Sequence, residues 1–204
     1  MPLEVDTYAL GPTQTNCYVV RAGSAATEAV VIDPGYEGVR PEVDVSAIFV
    51  THCHWDHLGG IASLAEATGA PVYMPALEAQ VLENPRAFYP DQPIRPHSPD
   101  VTLRGDETID VAGLSFEVVQ VPGHSPGHIA YAAEGALFSG DVLFAGSVGR
   151  TDLPFADWDT LLESIRMLFD RFPPETVVYP GHGPPTTLAV ERARNPFLAE
   201  LRAS

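Results

Sequence analysis

Lysine is absent. All 11 basic residues of this 204-residue sequence are arginine, set against 27 acidic residues for a net charge of −16. The absence excludes a P-loop, whose lysine reaches the nucleotide phosphates. It also excludes Schiff-base chemistry, pyridoxal-phosphate enzymes and lysine aldolases included. An acidic chain lacks the basic face that a nucleic-acid partner requires. Cysteine is scarce as well: Cys17 and Cys53 form no CxxC pair and are too few for a disulfide framework, which fits a reducing, cytoplasmic setting. The opening stretch MPLEVDTYALGPTQ has neither a basic n-region nor an apolar h-region. No apolar run approaches the roughly 18 residues of a membrane span, so neither a signal peptide nor a membrane partner is expected.

Glycine and proline are abundant, at 17 and 20 residues, and predict many turns between short elements. The charge is unevenly spread. Residues 1–149 hold 5 Arg against 19 Asp/Glu, and residues 150–204 hold 6 against 8, so an anionic ligand is expected to lean on the later segment. Extended, β-branched runs predict strands at 3–8, 16–21, 28–32, 47–51 and 71–74. Hairpins are predicted over 107–121 and 128–139, with a last strand at 176–179. Helices are predicted over 58–68, 75–83, 158–172 and from 187 to 194; the third has Leu161, Leu162, Ile165, Leu168 and Phe169 in register behind an Asp157 cap. Residues 84–100 carry five prolines and read as an irregular loop in which His97 is solvated. Two β-rich halves with helices outside imply a layered α+β sandwich.

The chemistry concentrates in four segments, each just past a predicted strand. The densest is Thr51-His52-Cys53-His54-Trp55-Asp56-His57-Leu58-Gly59-Gly60. In an extended segment residues two apart share a side, so His52, His54 and Asp56 point together, and the turn into a helix swings His57 beside them. Imidazole and carboxylate donors suit Zn, Fe and Mn. Four such donors in one segment exceed what one open catalytic ion takes, which points to two ions. His124, in Pro122-Gly123-His124-Ser125-Pro126-Gly127-His128, is free to reach a metal, whereas His128 reads as a supporting or core histidine. Asp141, in Ser139-Gly140-Asp141, ends an apolar strand and could bridge two ions. His182 follows the last strand in Tyr179-Pro180-Gly181-His182-Gly183.

These segments, with Asn16-Cys17-Tyr18, Val31-Ile32-Asp33-Pro34-Gly35 and Gly149-Arg150-Thr151-Asp152, resemble the metallo-β-lactamase superfamily and, within it, single-domain bacterial glyoxalase II-like (hydroxyacylglutathione hydrolase-like) proteins. The resemblance implies a four-layer αββα sandwich and one domain over 1–204, with no separate C-terminal substrate-binding domain. It implies two divalent ions, zinc first and iron or manganese as alternatives. His52, His54 and His124 would form one site and Asp56, His57 and His182 the other, with Asp141 bridging and Asp33 orienting the ligand loop. Asp56 and Asp141 would be the catalytic pair. Arg150 would bind substrate, although Asp152 stands where the family places a tyrosine. Tyr36, Phe88, Tyr89, Phe144, Phe155 and Trp158 are candidates for the substrate wall.

The expected reaction is hydrolysis of an anionic small-molecule thioester, such as S-lactoylglutathione, by a hydroxide held between the ions. A thiol with a pKa near 8.5 departs as thiolate without a general acid. The alternatives are a mononuclear iron persulfide dioxygenase, which Gly-Arg-Thr-Asp also resembles, and a lactonase. A β-lactamase is not expected, because by resemblance those enzymes generally lack a bridging aspartate.

Overall fold

The computed structural model describes residues 3–202; residues 1, 2, 203 and 204 of the expected domain lie outside the described residues. Two six-stranded sheets pack face to face. The first runs in chain order: β1 (Glu4–Leu10), β2 (Thr15–Arg21), β3 (Glu28–Ile32), β4 (Asp44–Phe49), β5 (Val72–Pro75) and β6 (Val101–Leu103). Its first three strands are antiparallel neighbours, and β3 to β6 are parallel. Between β4 and β5 lie α1 (Trp55–Leu58) and α2 (Ile61–Thr68); between β5 and β6 lie α3 (Ala79–Glu83) and α4 (Pro85–Phe88).

The second sheet contains β7 (Thr108–Val111), β8 (Leu114–Gln120), β9 (Ile129–Ala133) and β10 (Ala136–Gly140). A small hairpin, β11 (Leu143–Phe144) and β12 (Ser147–Val148), then leads to α5 (Trp158–Arg171), β13 (Val177–Pro180), β14 (Thr186–Thr187) and α6 (Leu188–Arg194). The order across this sheet is β14-β13-β10-β9-β8-β7, with β10 and β13 parallel and the other pairs antiparallel.

Strand periodicity explains the layers. Successive residues point to opposite faces of a sheet, and here both faces are apolar. Tyr18, Val20, Val30, Ile32, Ala47 and Phe49 meet Phe116, Val118, Ile129, Tyr131 and Phe138 in a core between the sheets. The alternate positions Cys17, Val19, Val31 and Ile48 face α2 and α3. Val119, Ala130, Ala132 and Leu137 face α5 and α6. A strand apolar on both sides must be covered on both sides, so helix, sheet, sheet, helix is the arrangement that leaves no apolar face wet. This is the four-layer αββα sandwich expected from the sequence.

The helix predicted over 58–68 begins only at Ile61, and a separate short helix, α1, ends at Leu58. At Gly59 a Cβ would meet the carbonyl of Gly35, and at Gly60 the carbonyls of Pro34 and Tyr36. Gly60 instead donates its N–H to the Pro34 carbonyl at 2.8 Å, and the chain turns there. The helix expected over 75–83 begins only at Ala79, after a turn at Ala76–Glu78. Residues 84–100 include α4, with Pro85 at its first position. His97 is not solvated: it is half-buried, its Nε2 is enclosed without a partner, and its N–H bonds the Leu82 carbonyl at 3.0 Å. Among the described residues no helix is long and apolar enough to cross a membrane.

Candidate metal centre

Every residue singled out for metal chemistry lies at the C-terminal end of a strand or just beyond it. His52, His54, Asp56 and His57 follow β4, His124 follows β8, Asp141 follows β10 and His182 follows β13. The two sheets therefore deliver their loops to one end of the sandwich, where open α/β sheets also place ligands. Main-chain and side-chain bonds tie the seam. Ile129 N–H donates to Thr51 O at 3.0 Å, and the Tyr131 hydroxyl donates to Val50 O at 2.9 Å. The Tyr18 hydroxyl and Asn16 Nδ2 both donate to Pro180 O, at 2.6 and 2.9 Å.

Donor atoms converge in trios lying within 4.8 Å of one another: His52, His54 and His124; Asp56, His57 and His182; and His52, His57 and Asp141. His54 Nδ1 lies 3.1 Å from His52 Nε2 and 2.8 Å from His124 Nε2. The opposite nitrogens are already committed. His124 Nδ1 is 2.8 Å from the Arg150 carbonyl, which can only accept. His57 Nδ1 is 2.9 Å from Asp33 Oδ2. The Thr51 hydroxyl donates to Asp33 Oδ2 at 2.7 Å and so is left to accept from His52 Nδ1 at 3.0 Å. These partners place the protons on Nδ1 of His52, His57 and His124 and aim their Nε2 lone pairs inward.

Asp141 joins the two groups. Its Oδ1 is 3.5 Å from His57 Nε2, and its Oδ2 is 3.5 Å from His124 Nε2 and 3.4 Å from His182 Nε2. His182 Nε2 also lies 3.3 Å from Asp56 Oδ2, which accepts from the Thr15 hydroxyl at 2.9 Å. His57 Nε2 and Asp141 Oδ1 are buried without a hydrogen-bond partner. Lone pairs turned toward one another and orphaned buried acceptors are costly unless a cation lies among them. The donor set therefore fits divalent metal, and these are metal-binding His/Asp clusters.

The electrostatics divide the centre in the metal-free state. Burial, then the neighbouring histidines, pushes His52 well below the usual imidazole value and His54 down to about 4. Burial opposes protonation of His57 too, but the carboxylates of Asp141 and Asp33 outweigh it and hold His57 well above the usual value. At His182, burial is outweighed by hydrogen bonds to Asp141 and Asp56, and the pKa rises to about 9. Asp56 falls to about 2, burial being overcome by its bond with His182 and by His57.

His128 supports the cluster rather than joining it. Its Nε2 accepts the Asp141 N–H at 3.1 Å, and its ring stacks on His52 with centroids 4.6 Å apart. Asp33 takes a left-handed backbone, φ 50°, which turns its carboxylate back to accept from the Thr51 N–H at 2.8 Å as well as from His57. Arg150 contributes its carbonyl to the centre, while its guanidinium is exposed and paired in fork geometry with Asp152, both bonds 2.7 Å. Among the wall candidates, Phe144 has its ring 6.1 Å from the His182 ring. Tyr36 and Trp55 pack edge to face, and Trp158 and Tyr89 pack against helix-facing cores. Phe155 is 87% exposed.

Sequence reasoning missed Thr15, the bonds of Asn16 to Pro180 and Gly183 (2.8 Å to the latter), and Glu78, whose carboxylate is buried near the centre. Asn16 and Glu78 act on main-chain groups and Thr15 on the Asp56 oxygen that faces His182, and no spacing signals that.

The model of the metallo-beta-lactamase superfamily matches residues 10–182. The chain is 32% identical over 207 residues to the hydroxyacylglutathione hydrolase GloC of Haemophilus influenzae, spanning 91% of this chain and 93% of that protein. It superposes on the BLEG-1 B3 metallo-beta-lactamase with a TM-score of 0.88 at 37% identity, covering 96% of this chain and all of the other. A structure of TTHA1623 in a di-iron-bound form gives a TM-score of 0.79 at 40% identity, covering 95% and 100% of the two chains.

Proposed function

The chain belongs to the metallo-beta-lactamase superfamily as one of its metal-dependent hydrolases, and from that premise we propose that it cleaves an anionic small-molecule thioester, S-lactoylglutathione or a related acyl-thiol. The observation that carries the reading is Asp141, whose two oxygens reach histidines of both donor groups. In this reading residues 1–204 act as one cytoplasmic domain, with neither nucleic acid nor a membrane as partner. His52, His54 and His124 would hold one divalent ion and Asp56, His57 and His182 a second, with Asp141 placed between the two groups. Zinc is the first choice, iron or manganese the alternatives. Bound ions at such a centre lower the pKa of water toward 7 and polarise the substrate carbonyl.

The chain's own residues do the rest. Asp56, steadied by Thr15, orients the attacking water. Asp33, Thr51 and the Arg150 carbonyl keep the imidazoles in the tautomer that presents Nε2. A thiol leaving group needs no proton donor. Arg150 meets the substrate's anionic arm by exchanging Asp152 for it. Both side chains are largely exposed, and exposed pairs are held weakly. The relationship to GloC supports the thioester. The likeness to BLEG-1 supports a second reading, hydrolysis of a β-lactam.

Metal analysis of the purified protein tests these readings together with three assays: S-lactoylglutathione hydrolysis, cleavage of a chromogenic cephalosporin and persulfide-dependent oxygen uptake. Two ions per chain with thioester hydrolysis is expected. One iron with oxygen uptake overturns the proposal. Cephalosporin cleavage without thioester cleavage replaces it with the second reading.

A further inference from the structure

Glu78 lies in the turn between β5 and α3 and is 2% exposed. Its Oε2 accepts the N–H of Cys53 at 2.6 Å, and its Oε1 accepts the N–H of Gly127 at 2.7 Å. Cys53 sits between His52 and His54 in the loop after β4, whereas Gly127 belongs to the loop after β8 that carries His124. One buried carboxylate thus clamps a ligand loop from each sheet. The fit is close: a Cβ on Gly127 would lie 2.8 Å from Glu78 Cγ. Among the described residues no arginine or histidine forms an ion pair with Glu78.

Burying a carboxylate without a countercharge is expensive. A carboxylate, however, accepts on both oxygens and donates on neither, so it can receive two main-chain N–H groups at once. A neutral amide of the same size accepts on one side and turns its own N–H toward the other donor. We propose that Glu78 is a positioning residue: by tying the His52–His54 loop to the His124 loop, it sets the spacing of the three-histidine group and hence that group's affinity for metal. The inference rests on the reading of those histidines as ligands. The negative charge, uncompensated by any basic side chain, acts in the same direction by favouring a nearby cation.

The test compares the full-length wild type with E78Q and E78D, each stripped of metal and titrated with Zn2+ against a chelating dye and with Co2+ in the visible spectrum. The far-UV circular dichroism of each metal-free protein is recorded alongside. Metal-free E78Q is expected to keep the wild-type fold. One of the two ions should bind it about 10–100-fold more weakly, the usual consequence of losing a group that orients ligands, with the other ion little affected. The Co2+ spectrum should change, and kcat should fall while KM holds. E78D keeps both acceptor oxygens on a shorter arm, so an affinity between wild type and E78Q is expected. Equal affinities and an unchanged Co2+ spectrum in E78Q overturn the proposal. So does unfolding of metal-free E78Q and E78D, which would make Glu78 purely structural. Failure of the wild type to bind either metal would instead overturn the assignment of the ligands.

Discussion

Each imidazole of the centre whose far nitrogen has a described partner is oriented by it: Thr51 for His52, Asp33 for His57, the Arg150 carbonyl for His124. The donor residues are thus costly to replace singly. His54→Ala and Asp141→Ala are each expected to lose metal and to lose turnover by at least about 100-fold, judged by metal analysis and steady-state rates. Retention of full activity in either would remove that residue from the site. Arg150→Ala leaves the carbonyl on which His124 depends and removes only the guanidinium, so KM for an anionic thioester should rise more than kcat falls. The raised pKa values predict a proton signature. Below a raised pKa the group carries its proton, and metal must displace it. Metal-free protein at neutral pH should therefore release protons from His57 and His182 on zinc binding, whereas His54, already neutral above about 4, releases none. The share from His182 should shrink as the pH rises through about 9. Calorimetry in buffers of different ionisation enthalpy reads this directly. The convergence of these side chains was legible in the sequence because metal chemistry restricts candidate donors to a few residue types at strand ends. Glu78, Thr15 and the bonds of Asn16 were not, since a side chain that serves main-chain groups or another side chain's oxygen looks in sequence like any other polar residue.

The elements divide into those that carry the centre and those that carry the fold. Gly181 belongs to the first kind: a Cβ there would strike Asp141 Oδ1 and crowd His57 Cε1. Gly181→Ala is expected to cut metal affinity and activity by at least about 100-fold while the melting temperature of the metal-free protein stays near wild type. Leu168, fully buried on α5, is the reverse case. Leu168→Ala should cost about 2–5 kcal/mol in denaturant unfolding, with two ions still bound under native conditions. Long, periodic elements such as α5 were readable from the sequence, and its Asp157 cap is present, accepting from Thr160 N–H at 2.8 Å. Short or interrupted ones were not. The break at Gly59-Gly60 is imposed by backbone carbonyls from residues 34–36. The three residues of β6 are too few to show a period and gain their strand character from pairing with β5.

Across the whole molecule, the donors of each three-residue group come from both sheets, so metal held there would draw the halves together. Ligand that binds only the folded state stabilises it by RT ln(1 + [L]/Kd), about 2.7 kcal/mol at a hundredfold excess over Kd. Stripping the protein with a chelator should lower its melting temperature, and restoring zinc should recover it. An unchanged melting temperature would mean that the metal spans no structural seam.

That seam also carries information about time. The donors run from residue 52 to residue 182, and the first sheet is complete in the chain before His124 is reached. Either half alone presents only a fragment of the coordination shell. Contacts so distant along the chain close late. A cobalt-substituted protein would therefore gain its final visible spectrum only when the two sheets have docked, and refolding followed by that colour would time the docking step separately from the formation of secondary structure.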